Sequence, residues 1–255
     1  MKPRVVLVED DASITRFVCM ALEDLDIELL TCTTVQEARA ALAAQTIALV
    51  ITDLMLPGEP GLNLVQELGS EQKIPVAVLS AGLTPERCEE LTALGAWRLL
   101  SKPVSVVALQ GCVQDALQRS NTNLDTSPST LTTTAPSAAL LPEASNPQAQ
   151  AIATAIATHF AGNAALFHAY KARCLPQFVR DIAAGDTALT QQDWPALQRL
   201  AHSLRTVLLT LGYNPASQTA KQLENAAQAH DSAASGALWQ TLRTHLQNFS
   251  NTTTA

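Results

Sequence analysis

Glu9, Asp10 and Asp11 follow the short apolar run "VVLV", and Asp53 follows a second run within "IALVITD". Ser80 ends a third run, "PVAVLS", and Lys102 ends a fourth, "WRLLSK". Carboxylates brought together repel one another and are unfavourable unless a cation joins them. Magnesium, a hard ion that keeps waters and takes one or two carboxylates, suits such a set. With the cation bound, Asp53 is screened and its oxygen can attack a phosphoryl group. Lys102 and the Ser80 hydroxyl are then placed to hold phosphoryl oxygens, whose charge must be stabilised during transfer. Singly, each residue has an ordinary reading: an acid after a strand is often a helix N-cap, and Lys-Pro is a common turn. The arrival of all four positions at one sheet edge is what favours chemistry.

A second candidate lies far along the chain, in "RLAHSLRTVLLTLGY". Leu197, Leu200, Ala201, Leu204, Leu208 and Leu211 recur at the three-and-four spacing of one helix face. His202 sits one step, about 100° of rotation, from Ala201, at the flank of that stripe where solvent reaches it. An exposed imidazole is a good nucleophile near neutral pH because its neutral form dominates there. Arg205, one turn on, supplies positive charge beside an incoming phosphoryl group, and Leu209 on the same ridge offers a partner an apolar contact.

The elements that must position these residues fall into two groups. Residues 1–120 alternate strand-like runs ("RVVLVE", "IELLTC", "IALVIT", "PVAVLS", "WRLLSK") with amphipathic helical ones. Five strand-then-helix units predict a doubly wound α/β sheet of parallel strands. In such a sheet ligands bind beyond the carboxyl ends of the strands, which is where the acids, Ser80 and Lys102 sit. Residues 121–150 are rich in Thr, Ser, Pro and Ala without apolar period, and predict a flexible linker whose flanking domains need not share a fixed interface. Residues 151–250 show only helical spacing. A helix begins at Asp193 as N-cap with Pro195 in its first turn, and another at Asn214 as cap with Pro215 after it. A short helix over Ile152–Phe160 precedes the set, and the whole predicts an antiparallel four-helix bundle.

Composition excludes several classes. The five cysteines are scattered without a C-x-x-C pair, which argues against a disulfide framework or a zinc site and for a reducing cytoplasmic setting. No signal peptide and no run of about 18 apolar residues is present, so no membrane role is expected. The net charge of −7 is uneven. Residues 1–120 carry 9 Lys/Arg against 16 Asp/Glu, residues 121–150 two acids and no base, and residues 151–255 seven bases against five acids. Nothing is basic enough for nucleic acid.

Residues 1–120 resemble the receiver domain of bacterial two-component response regulators, through "VLVEDD", "VITDLMLPGEPG", "VLSA" and "LLSKP". The resemblance implies a flavodoxin-like five-stranded parallel sheet of order 2-1-3-4-5. It implies Asp53 as phosphoacceptor, Glu9 and Asp10 as the acidic pair, and magnesium held by Asp10, Asp53 and the Met55 carbonyl. Ser80 would be the switch hydroxyl, Lys102 the phosphate-sensing base, and Pro103 a partner often joined by a cis bond. The second domain resembles a histidine phosphotransfer (HPt) domain from about Phe167 to Phe249, through "LFHAYKARCLPQFVRDIAAGD", "WPALQRLAHSLRTVLLTLGY" and "QLENAA". That resemblance implies His202 as a second phosphoacceptor, with Arg205 in place of the usual Lys, Thr206 in place of Gly and Val207 in place of a small polar residue. His159, His168, His230 and His245 lack the pattern and are read as surface residues.

Departures from the pattern carry expectations of their own. Pro60-Gly61 stands for the usual Asp-Gly and alters the start of the third helix. Leu99 occupies the position of a switching aromatic, and Trp97 lies two residues too early to fill it. Met55 and Gly82 flank the acceptor where acids or amides would orient a hydrolytic water, so the phosphoaspartate is expected to be long-lived. Thr206 adds a branched side chain beside the imidazole and narrows its approach. The expected function is phosphorelay without DNA binding and without catalytic turnover beyond weak self-dephosphorylation. A sensor histidine kinase loads Asp53, and His202 carries phosphate, exchanged within the chain or with a separate receiver domain docking on His202. The alternative is a phosphorylation-controlled binding module whose degenerate HPt bundle recruits a partner without phosphotransfer.

Overall fold

A computed structural model describes residues 2–71, 74–121 and 147–251. The first half alternates β1 (Arg4–Val8), α1 (Ala12–Leu22), β2 (Glu28–Cys32), α2 (Val35–Ala44), β3 (Leu49–Asp53), α3 (Gly61–Glu71), β4 (Val76–Ser80), α4 (Pro85–Ala93), β5 (Arg98–Ser101) and α5 (Val106–Asn121). All five strands are parallel in the order β2-β1-β3-β4-β5. The two-residue period of a strand sorts their side chains between two cores. Val5, Leu7, Leu49, Ile51, Ala77 and Leu79 face α1 and α5. Val6, Val8, Val50, Val76 and Val78 face α2, α3 and α4. Both faces are covered, which is why the central strands read as unbroken apolar runs.

The second half contains α6 (Pro147–His159), α7 (Ala164–Gln191), α8 (Trp194–Thr210), α9 (Asn214–Gln228) and α10 (Ser232–Asn251). Consecutive helices from α7 to α10 pack on one another and α10 returns against α7, closing a four-helix bundle with α6 laid against α8. Trp239 fills its centre, and Gly185 makes room for it: a Cβ at Gly185 would lie 2.1 Å from the indole. Asp193 caps α8, its side chain accepting from the Ala196 amide. The cap expected at Asn214 lies one residue earlier, at Tyr213, without a side-chain hydrogen bond, because the preceding turn ends at Gly212 and Asn214 already has helical geometry. The helix expected from Ile152 begins at Pro147, a residue suited to the first helical turn. Most of the segment read as a linker lies outside the described residues.

The two halves share an interface, which the reading of the intervening segment as a flexible linker does not require. The buried face of α1 is Ser13, Ile14, Phe17, Val18, Ala21 and Leu22, with Phe17 at its edge. Phe17 is only 5% exposed, because Phe160, directly after α6, and Tyr170 of α7 lie against it. Its ring meets Phe160 edge-on at 5.4 Å and Tyr170 at 5.3 Å, and Phe160 meets Phe167 at 5.3 Å. Burying one such ring stabilises by about 1.5–3 kcal/mol, and each well-oriented aromatic pair adds about 0.5–1.5. Beside the rings, Arg16 Nη1 donates to the Arg173 carbonyl at 2.6 Å. Pro176, in the next turn of α7, has no amide for the Ala172 carbonyl and so interrupts the helical ladder beside this contact.

Asp181 is the costly residue of α7. It is buried, accepts a 2.8 Å hydrogen bond from Gln177 Nε2, and faces the charge of Asp11 across the interface. Burial pushes its carboxyl up to about 7, against a smaller opposing effect of Gln177. A carboxyl raised on folding stabilises the fold in its protonated form, so that contribution is lost as pH rises from the unfolded value towards about 7. Asp181→Asn keeps the hydrogen bond without the charge. It is expected to raise thermal stability at pH 8 by about 1–2 kcal/mol and by less at pH 5; an equal effect at both pH values in parallel melts would contradict this origin.

Candidate functional site

Asp53 is the last residue of β3, Ser80 the last of β4, and Lys102 follows β5 directly. Glu9 and Asp10 follow β1, and Asp11 caps α1, accepting from the Ser13 and Ile14 amides at 2.8 Å each. The parallel sheet thus delivers all of them to one edge. The Asp53 carbonyl is crowded by the start of α3, where a Cβ at residue 61 would come within 1.8 Å of it. Gly61 therefore lets α3 begin beside the acceptor even though Pro60 precedes it.

Lys102 Nζ donates to Glu9 Oε2 at 2.7 Å and to Asp53 Oδ2 at 2.8 Å, and all three side chains are buried. Asp53 Oδ1 accepts from the Leu54 amide at 2.6 Å and the Met55 amide at 3.2 Å. Burial alone would raise the Asp53 carboxyl, but the Lys102 ammonium outweighs it and holds Asp53 below the usual carboxylate range. Burial would likewise lower Lys102, and the two carboxylates keep it charged by raising it instead. Glu9 is pushed up, first by burial and then by Asp53 beside it, against the pull of Lys102. Asp10 is raised by burial and by Asp53. One carboxylate oxygen from each of Glu9, Asp10 and Asp53 lies within 4.8 Å of the others. That hard-oxygen donor set fits magnesium, and the upward push on Glu9 and Asp10 is the repulsion that a cation relieves.

Ser80 is half-buried one residue beyond the Asp53–Leu79 pairing, and its Oγ accepts from the Gly82 amide at 3.4 Å. Met55 is half-buried on the loop after β3. The Lys102–Pro103 bond is cis, as expected. Trp97 does not approach the acceptor; its ring stacks under Arg98 at 4.7 Å, while Leu99 packs in the core beneath α4.

In the bundle, His202 Nδ1 lies 2.8 Å from Glu224 Oε1, and Arg205 Nη1 donates to Glu224 Oε2 at 3.4 Å. Burial would raise Glu224, but His202 and Arg205 hold its carboxyl low. Glu224 is a site residue that sequence reasoning missed, although "QLENAA" marks it as the one acid in a run of small and apolar residues. His202 is 8% exposed, not open to solvent as expected: its ring lies against Glu224 of α9, and α8 packs on α1, α7 and α9. Its proximity to the first site is felt there: His202 contributes, after Lys102 and the Met55 amide, to holding Asp53 low. Thr206 is buried too, and its hydroxyl turns back to the His202 carbonyl at 3.4 Å. Leu209 is half-buried. Of the other histidines, His168 and His230 are exposed, but His159 and His245 are half-buried. His159 closes α6 with a buried Nδ1 that has no partner among the described residues, and burial lowers its pKa.

Comparison with known proteins supplies the family. The response regulator receiver domain matches residues 5–114, and the Hpt domain matches residues 171–252. The KDP operon transcriptional regulatory protein KdpE of Escherichia coli is 35% identical over 117 residues, covering 45% of this chain and 51% of that protein. A probable transcriptional regulator, ycf27, of Pyropia yezoensis is 30% identical over 122 residues, covering 47% of this chain and 49% of that protein. The chain thus spans about half the length of the curated relatives it matches. Among solved structures, the receiver domain of a Francisella response regulator is 26% identical, covers 46% of this chain and 98% of its own, and gives a TM-score of 0.44. The Vibrio cholerae chemotaxis protein CheY4 is 26% identical, covers 46% of this chain and 99% of its own, and gives 0.43. Among the described residues no helix is long and apolar enough to cross a membrane. The chain carries a response regulator receiver domain and an Hpt domain in one polypeptide, the two domain families of two-component phosphorelay signalling.

Proposed function

We propose that this protein is a relay intermediate: a sensor histidine kinase loads Asp53, and His202 carries phosphate in turn. The observation that carries this reading is Glu224 on His202 Nδ1. A carboxylate there accepts the Nδ1 proton and leaves the lone pair on Nε2, the tautomer a nucleophile needs. Once phosphorylated at Nε2 the ring is cationic, and the same carboxylate stabilises it. Arg205 orients Glu224 and keeps positive charge at the mouth of the site. In the receiver, Lys102 holds Asp53 ionised before transfer and is positioned to follow the phosphoryl oxygens after it, while Ser80 at the end of the next strand offers its hydroxyl. Glu9, Asp10, Asp53 and the Met55 carbonyl would hold magnesium, which when bound offsets the carboxylate repulsion and the charge of the phosphoryl group. The 121–150 segment serves as tether between the two carriers.

The binding-module reading rests on Thr206. Its side chain occupies the ridge one turn beyond His202, and transfer requires close approach there. The turned-in hydroxyl of Thr206 is what leaves room for transfer, and Thr206→Gly is expected to speed it only a few-fold.

Acetyl phosphate with magnesium is expected to place a base-labile phosphate on Asp53 and then an acid-labile, base-stable one on His202. Asp53→Ala should remove both and His202→Gln only the second; failure of any base-stable phosphate to appear, even with phosphoramidate as direct donor, would favour the binding module. Glu224→Gln is expected to slow His202 phosphorylation on the order of 10- to 100-fold, the loss of one charge-assisted hydrogen bond of about 1.5–3 kcal/mol. In the isolated receiver step, measured in His202→Gln, the phosphoaspartate should last minutes or longer, since Met55 and Gly82 offer no side chain to orient water. A half-life of seconds would contradict that assignment.

A further inference from the structure

We infer that the receiver of this chain is itself the docking partner of His202, seated through α1 and the aromatic cluster around Phe17. This rests on the relay reading above and names the partner of that site. Phe17 lies at the edge of the buried face of α1, next to Ser13, and its ring reaches the bundle. Here Phe160 and Tyr170 close over it, in one continuous apolar core that runs from the sheet through α1 into the bundle. Polar contacts surround the rings. Arg16 donates to the Arg173 carbonyl, and Ser13 of α1 and Tyr170 lie beside the buried Cys174 thiol. Charges of both signs meet there: Glu9, Asp10, Asp11 and Arg16 on the receiver side, and Lys171, Arg173, Arg180 and Asp181 on α7.

The location of the interface gives it a function. Through α1 it meets α7 and α8, and so brings the receiver to the helix that carries His202. Transfer across it breaks the bond between phosphorus and an Asp53 oxygen and forms one to His202 Nε2; the electron pair stays on the Asp53 carboxylate, and the Nδ1 proton remains between the ring and Glu224. The reverse step uses the same contacts. A second consequence follows from burial. While α1 is seated, the His202 face is closed to any separate receiver, so transfer in cis and exchange in trans compete for one surface.

The test uses the full chain with acetyl phosphate and magnesium, scoring base-stable phosphate on His202. In wild type its appearance is expected to be independent of protein concentration. Phe17→Glu, outside the phosphate site, should leave Asp53 loading unchanged and slow the histidine step at least about tenfold. Mixing Asp53→Ala chains with His202→Gln chains forces transfer between molecules. At micromolar protein that should run on the order of 10²–10³-fold slower than wild type, since a tethered partner acts at millimolar effective concentration. Adding Phe17→Glu to the Asp53→Ala acceptor should speed this mixed reaction by unseating its own α1. Ser13→Cys supplies an independent reading, expected to form a disulfide with Cys174 within one chain under mild oxidation. Transfer that scales with concentration, ignores Phe17→Glu and runs equally fast in the mixture would overturn cis docking and leave the relay intact, as would a folded Ser13→Cys chain that does not cross-link. Absence of histidine phosphate in every arm, phosphoramidate included, would remove the relay reading and this inference together.

Discussion

The Lys102 ammonium, buried between Glu9 and Asp53, is the interaction on which the first site depends. Two carboxylates and one ammonium in a dry cleft are each expensive alone; held at 2.7 and 2.8 Å they offset one another. The arrangement requires the ends of β1, β3 and β5 to converge, and only the parallel order of this sheet makes them do so. It also leaves a net negative charge with Asp10 alongside, so the site is predisposed to take a cation and then an oxyanion. The apolar clusters packed on both faces of the sheet keep the three strand ends in register.

The second site repeats the same physics with the signs exchanged. A single carboxylate, Glu224, lies between an imidazole and a guanidinium, and the adjoining helices α8 and α9 hold it there by their extensive packing. In each site a charged partner is hydrogen-bonded to the residue proposed as phosphoacceptor. The two are joined by an interface built on aromatic rings, so its strength depends little on salt.

Much of this was legible in the residues. The strands were visible because continuous Val, Ile and Leu runs mark strands buried on both faces, and the acids after them were visible because a parallel sheet places strand ends together. Asp53, Lys102, Ser80 and the acidic pair fall at that edge in the structure. The short helix before the bundle extended further than its apolar spacing suggested, since Gln148 and Gln150 carry no hydrophobic signal. His202 was placed on the correct face of its helix but read as exposed, because helical periodicity reports one element and not what docks on it. Glu224 was hidden for the same reason: its contact with His202 spans two helices. Phe17 was the hardest to read. Within α1 it looks like one more apolar residue of an amphipathic helix, and only the position of a bundle more than a hundred residues away gives it a separate role.

The central claim, that phosphate visits both Asp53 and His202, is tested most directly by phosphorus NMR of the full chain during incubation with acetyl phosphate and magnesium. The account predicts an acyl phosphate resonance followed by a phosphoramidate resonance that is absent from His202→Gln. A persistent acyl phosphate signal with no phosphoramidate at any time would contradict it.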